Sequence, residues 1–239
     1  IKQIHGKAEK PDAKRKAQRA FNRELDIIQH IRHDNVVHFH GICVQEHRFM
    51  VVTEFCSGGC LFELLHNSDL FDLSWTQKGK MIMDIAQAME YLHTPMAGKP
   101  TVIHRDLKSL NILLTEPVMT LTDVPHCKVT DFGLSRITPD GSNNFGTMTS
   151  AVGTCHWMAP EVLSSTQYDQ KADIYSFGMI MFEVICREIP FEEYEPAQVR
   201  QMVQCGNRPD PDAVPPDCPQ NLVQTFCLKI VQFAVQCSK

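Results

Sequence analysis

Residues 100–161 constrain this chain more than any other stretch, because they hold few long periodic segments yet lie between strongly helical ones. A long irregular region inside a compact domain is uncommon and usually carries function. The surrounding pattern says what must support it. Trp75–His93 and Ala172–Cys186 read as helices, with a shorter one near Glu195–Gln204. Upstream, segment 14–31 sets Ala17, Phe21, Leu25, Ile28 and Ile31 at spacings of three and four, the signature of an amphipathic helix. It opens with Lys14, Arg15, Lys16 and Arg19, which read as a solvated face, with a docking patch as the alternative. Strand candidates follow at Val36–Cys43 and Arg48–Phe55, then Ser57-Gly58-Gly59 as a breaker. Pro and Asp crowd at 209–219 as a surface loop, and there is no internal repeat.

Composition narrows the class. With 239 residues and 43% hydrophobic content the chain can bury a proper core, and 21% charged residues are too few for disorder. A net charge of −5 argues against a general nucleic-acid binder, so no nucleic acid is expected as a partner. No apolar run reaches the roughly 18 residues of a membrane span. Ile1 to Lys16 is polar and basic, unlike a signal peptide. The ten cysteines are scattered without a C-x-x-C pair or zinc spacing, and read as reduced thiols of a cytoplasmic or nuclear protein.

Three motifs fall in order inside and at the edge of the irregular stretch. His104-Arg105-Asp106-Leu107-Lys108-Ser109-Leu110-Asn111 fits H-R-D-L-x-x-x-N. Asp131-Phe132-Gly133 follows Asn111 at 20 residues, and Ala159-Pro160-Glu161 closes the segment. A lone D-F-G is weak evidence and A-P-E weaker; all three in this order, flanked by apolar runs, are very specific.

On these motifs the chain resembles the protein kinase superfamily over roughly residues 1–223. The resemblance implies an α+β, two-lobed fold: a small β-rich N-lobe (1–54), a hinge (55–58) and a larger helical C-lobe (59–223), with an atypical tail at 224–239. It also implies ATP and Mg²⁺ as cofactors and a protein as substrate. Phosphoryl transfer asks a protein to position the nucleotide, neutralise phosphate charge and orient the acceptor hydroxyl. By this match Asp106 accepts or orients the hydroxyl proton, Lys108 reaches the γ-phosphate, and Asn111 and Asp131 hold the metal. Ile1-Lys2 looks like the end of V-A-I-K, so Lys2 binds the α- and β-phosphates with Glu24 as its partner. Thr53 takes the gatekeeper position, with backbone groups of Glu54 and Cys56 at the adenine and Leu113 also in the nucleotide site. Ile28, Phe39, His104 and Phe132 match the hydrophobic spine, with Asp173 at its base.

The flavour of the resemblance is the tyrosine-kinase-like group, the mixed-lineage and Raf-like serine/threonine kinases. Lys108 is the serine/threonine signature, and Thr154 fits because its hydroxyl can bridge Asp106 and Lys108. Dual-specificity or tyrosine activity is the alternative within the superfamily. Thr147, Thr149 and Ser150 lie where an upstream kinase would place a regulatory phosphate, with Arg105 as natural receiver and Arg136 in support.

Three departures from the pattern stand out. The sequence starts inside the strand carrying Lys2, without the Gly-rich loop, and Thr115–His126 looks like an insertion of ordinary surface variation. No arginine follows Arg208, so the family's partner for the carboxylate of Glu161 is missing. These features favour an incomplete chain, weakly active or inactive and aggregation-prone in isolation, and leave open a kinase homologue acting as a binding or scaffold module.

Overall fold

The computed structural model describes residues 2–4, 28–45, 48–66, 72–131, 154–164 and 169–222. Glu24, Phe132, Gly133, Arg136, Thr147, Thr149, Ser150, most of the expected 14–31 helix with its basic cluster, and the tail at 224–239 lie outside the described residues.

Three antiparallel strands form the first sheet: β1 (Lys2–Ile4), β2 (Phe39–Gln45) and β3 (Arg48–Thr53), in the order β1-β3-β2. The apolar run Phe-Met-Val-Val of β3 suits a central strand, which has neighbours on both edges. It faces Lys2 across from Val51 on one side and Ile42 across from Val51 on the other. β2 starts later than the expected Val36–Cys43. Val36 instead forms an isolated parallel bridge to Val129, and the Val37 N–H donates to the Val129 carbonyl at 2.9 Å. Those bonds tie the start of the small sheet to the floor of the helical part. The register of β2 shifts between Phe39 and Gly41, so the strand carries a local irregularity where it leaves that junction. β3 ends at Thr53 rather than Phe55.

The helical part contains α1 (Leu61–His66), α2 (Trp75–His93), α3 (Pro160–Ser164), α4 (Gln170–Cys186) and α5 (Pro196–Gln204). A second, two-stranded sheet pairs β4 (Ile112–Leu114) with β5 (Cys127–Val129). α2 begins where its sequence says it should. Ser74 and Gln77 form a reciprocal capping box, satisfying N–H groups that the first helical turn leaves without partners. Its buried face carries Met81, Ile82, Ile85, Ala88, Met89 and Leu92 at helical spacing. At the other end Lys99 Nζ donates to the carbonyls of Leu92 and Thr94, at 3.1 and 2.7 Å, placing a cation on the negative end of the helix.

α4 starts two residues before the expected Ala172, with Asp169 as its N-cap. It is buried on nearly every face, as an apolar-all-round helix must be. α2 and α4 pack together, and Met81, Ile85, Leu92, Met179 and Ile180 sit at the centre of the core. Glu195, expected as the first residue of α5, is its N-cap. α1 is a short helix that the sequence reading did not anticipate. Among the described residues no helix is long and apolar enough to cross a membrane, and all eight described cysteines are free thiols.

Candidate active site

The loop between α2 and β4 is held from below by one carboxylate. The N–H groups of His104 and Arg105 each donate to an oxygen of Asp173 at 2.8 Å, and His93 Nε2 meets Asp173 Oδ2 at 2.7 Å. Asp173 is 1% exposed. These bonds fix Arg105 at φ 73°, a left-handed conformation that costs a non-glycine residue about 1–3 kcal/mol unless its surroundings hold it there. The next residue, Asp106, keeps a part-exposed carboxylate.

Around Asp106 the loop folds back on itself. Lys108 Nζ lies 2.9 Å from Asp106 Oδ2 and 3.1 Å from Oδ1. Asn111 Nδ2 donates to the Asp106 carbonyl at 2.7 Å and to Oδ2 at 3.2 Å. With its amide nitrogen so engaged, Asn111 presents its oxygen as the remaining acceptor. The Thr130 N–H donates to the Asn111 carbonyl at 2.9 Å, and His104 Nε2 pairs with the Thr130 carbonyl at 2.8 Å. Asp131 follows directly at φ 62°, a second left-handed position. Asp106, Lys108, Asn111 and Asp131 therefore gather at one end of the β4–β5 hairpin.

This donor set fits magnesium. Among the described residues no group of three or more His, Cys, Asp or Glu side chains could cage a metal alone. Mg²⁺ needs no such cage, since it keeps waters and takes one or two protein oxygens together with substrate phosphates. Asn111 and Asp131 are the residues that would hold it.

The segment expected at the nucleotide begins where β3 ends. Thr53 is exposed at the strand terminus. The Glu54 N–H donates to the His38 carbonyl at 2.9 Å, so of the backbone groups expected at the adenine Glu54 has only its carbonyl to offer. The Glu54 side chain accepts from the His38 N–H at 2.6 Å and from Lys128 Nζ at 2.8 Å. Burial alone would raise the Glu54 carboxyl, but these two donors and the nearby charge of Lys128 outweigh it and hold the group below its ordinary value. Burial, followed by the Glu54 charge, pushes the Cys56 thiol up, so it is a neutral group at neutral pH. Among the described residues no backbone hydrogen bond takes the Cys56 N–H.

The segment expected as the hinge then locks onto β4. Ser57 and Gly58 donate their N–H groups to the carbonyls of Thr115 and Leu114, and Leu114 N–H returns a bond to Gly59. A Cβ on Gly58 would sit 2.3 Å from the Glu116 carbonyl oxygen, so the close approach needs glycine. Strand alternation puts half-buried Leu113 on the face opposite buried Ile112 and Leu114. Lys2 enters through its backbone, paired with Val51 two residues before Thr53. Of the spine residues, Ile28, Phe39 and His104 are buried.

In the segment expected to face the acceptor, Thr154 opens a short 3₁₀ turn, Thr154–Trp157. The Trp157 carbonyl accepts from Ser176 Oγ at 2.8 Å and His156 Nδ1 meets the Pro190 carbonyl at 2.8 Å, which fastens the turn to α4 and to the loop after it. Trp157 Nε1 donates to Glu183 on α4. The sequence reading passed over Glu183 and Lys128. The available signal for Glu183 was a lone carboxylate in the apolar run Phe177–Cys186. Glu161, in α3, has its Oε2 buried without a hydrogen-bond partner among the described residues.

Comparison with known proteins agrees with this geometry. A family model described as protein tyrosine and serine/threonine kinase matches residues 2–231. The chain is 40% identical over 179 residues to the probable serine/threonine-protein kinase drkB of Dictyostelium discoideum, covering 75% of this chain and 24% of that protein. It is 37% identical over 194 residues to serine/threonine-protein kinase STY46 of Arabidopsis thaliana, covering 80% and 31%. Against serine/threonine-protein kinase CTR1 of Arabidopsis thaliana it is 39% identical over 180 residues, covering 75% and 20%. The chain thus spans between a fifth and a third of the length of these relatives. It belongs to the protein tyrosine and serine/threonine kinase family, as a kinase domain of the tyrosine-kinase-like type.

Proposed function

We propose that this chain transfers the γ-phosphoryl group of ATP to serine or threonine hydroxyls of protein substrates, with Asp106 at the centre of the reaction. The observation that carries this reading is the contact of 2.9 Å between Lys108 Nζ and the Asp106 carboxylate. A carboxylate beside a cation serves both partners of the exchange. Asp106 orients the acceptor hydroxyl and takes its proton as the new O–P bond forms. Lys108 sits where negative charge is carried by the phosphoryl group as its bond to ADP breaks. The Asn111 side-chain oxygen and the Asp131 carboxylate would hold Mg²⁺, which would supply charge neutralisation at the phosphates. Lys2, oriented by its partner Glu24, binds the α- and β-phosphates, while the Glu54 carbonyl, the Cys56 backbone, Thr53 and Leu113 receive the adenine end.

Serine/threonine preference is supported by Lys108 and Thr154 and by the names of the relatives. Regulation follows the same chemistry: a phosphate on Thr147, Thr149 or Ser150, placed by an upstream kinase, meets Arg105. A cytoplasmic or nuclear setting is supported by the free thiols of the described cysteines.

The test is transfer from labelled ATP to a generic protein substrate, wild type against Asp106→Asn. Loss of the carboxylate is expected to lower turnover by about 100- to 10,000-fold. Equal transfer by both proteins sinks the assignment.

A further inference from the structure

The excursion Thr115–His126 presents apolar side chains to water and holds them there. Met119, Leu121 and Val124 are 56, 60 and 76% exposed. One exposed apolar residue is ordinary, but three within six positions make a patch that invites cover. The backbone beneath them is pinned. The Asp123 carboxylate accepts the N–H groups of Met119 and Thr120 at 2.8 Å each, and Gln77 Nε2 donates to the carbonyls of Thr120 and Asp123 at 2.9 Å each. Val118, buried, anchors the near end. A loop held this way cannot fold the three side chains inward, so only another surface can take them out of water.

The chain brings a match to the same spot. The head of α2 is gripped from two directions: Gln77 holds the excursion, and Trp75, two residues earlier, donates its Nε1 to Asp217 at 2.9 Å. Leu222, the last described residue, lies five positions after Asp217 and packs partly buried against the core. Beyond it, residues 224–239 carry Phe226, Leu228, Ile230, Val231, Phe233 and Val235, and their only charged side chains are Lys229 and Lys239. The excursion has Glu116 and Asp123 and neither lysine nor arginine. Apolar content is matched by apolar content, and the charges are of opposite sign, which favours one register of contact over others. Eight extended residues span roughly 26 Å, whereas a helix with its side chains is only about 10–12 Å across. The segment is long enough to round the head of α2.

We propose that residues 224–239 dock on the excursion, covering Met119, Leu121 and Val124 with apolar side chains and setting Lys229 and Lys239 against Glu116 and Asp123. The contact lies within one chain, and it stands apart from the phosphoryl-transfer reading. It makes the excursion a seat for the end of the domain. Because Gln77 joins that seat to α2, the docked segment also steadies the start of the helix.

The experiment follows backbone amide exchange by mass spectrometry in the full chain, wild type against Leu121→Ser/Val124→Ser. Both side chains are exposed, and the bonds that hold the loop run through its backbone and Asp123, so the clasp by Gln77 is left alone. Amides of 226–235 are expected to exchange about 10-fold faster in the variant, while those in the middle of α2 keep their wild-type rates. If the loop variant does not fold, the reciprocal Phe226→Ser/Phe233→Ser carries the test, with faster exchange expected at Met119 and Thr120. A carbodiimide, which couples a lysine amine to a carboxylate as an amide, then locates the contact in a mixture of ¹⁵N-labelled and unlabelled chains. Links from Lys229 or Lys239 to Glu116 or Asp123 are expected within single chains. Links only between differently labelled chains give the seat to a second copy and overturn the proposal. Equal exchange of 226–235 in wild type and loop variant, or of Met119 and Thr120 in wild type and reciprocal variant, overturns it as well.

Discussion

Two carboxylates on successive helices, one fully buried and one partly buried, are treated in opposite ways. Asp173 in α4, beneath the catalytic loop, receives two backbone N–H groups and lies within 2.7 Å of His93 Nε2. Glu161 in α3, just past the acceptor segment, has a buried oxygen with no partner among the described residues. Arg208 stacks over the Tyr175 ring. The contrast separates two kinds of requirement. The loop carrying Asp106 is held by Asp173, through two of its backbone N–H groups, with His93 beside the same carboxylate. The helix that carries Glu161, in contrast, holds a carboxyl oxygen that no described residue hydrogen-bonds.

Neutralising each carboxylate with its isostere should move stability in opposite directions. Asp173→Asn turns an acceptor oxygen into an amide facing the N–H groups it used to serve, and should cost about 3–5 kcal/mol, read as a lower urea midpoint. The strained Arg105 backbone would relax and activity would go with it. Glu161→Gln replaces a carboxyl whose buried oxygen has no partner among the described residues and should stabilise the protein by about 1 kcal/mol in the same titration. A loss at Glu161 as large as that at Asp173 would break the comparison, because it would reveal a partner for Glu161.

Glu54 gives the smallest effect and a pH axis. Its carboxyl lies below the ordinary glutamate value of 4.5 in the folded state, through Lys128 and the His38 N–H acting against burial. A depressed folded-state value stabilises above the unfolded value and is lost as pH falls through the folded one. Wild-type stability should therefore decline below about pH 4.5 more steeply than that of Glu54→Gln, by less than about 1 kcal/mol for a part-exposed pair. Parallel curves for the two proteins would show that the hinge contact contributes nothing measurable.

What the sequence made legible follows physical range. α2 was readable to both ends, because its cap and its apolar face are local patterns; Ser74 and Gln77 lie three residues apart. The loop motif was equally plain, since Asp106, Lys108 and Asn111 are neighbours in the chain. α1 escaped because six residues behind a glycine pair carry too little periodicity. Val36 was read as strand from its own type, whereas its pairing is decided by Val129, far away in sequence. Glu183 and Lys128 were missed for the same reason: their roles are set by donors and acceptors on other elements. Long-range contacts also narrowed the expectation for Glu54, whose N–H is already taken by His38.

The stretch Thr115–His126 looked like decoration in the sequence, yet the side-chain amide of Gln77 donates to the carbonyls of Thr120 and Asp123 at 2.9 Å each, while its oxygen accepts from the Ser74 N–H. One glutamine thus clasps the excursion with one hand and the head of α2 with the other. Trimming the excursion would strand a buried amide at the very turn where that helix is launched, and the far end of the same rod, at His93, bears on Asp173. A shortened variant would therefore feel its missing loop across the length of α2, at the floor of the catalytic loop.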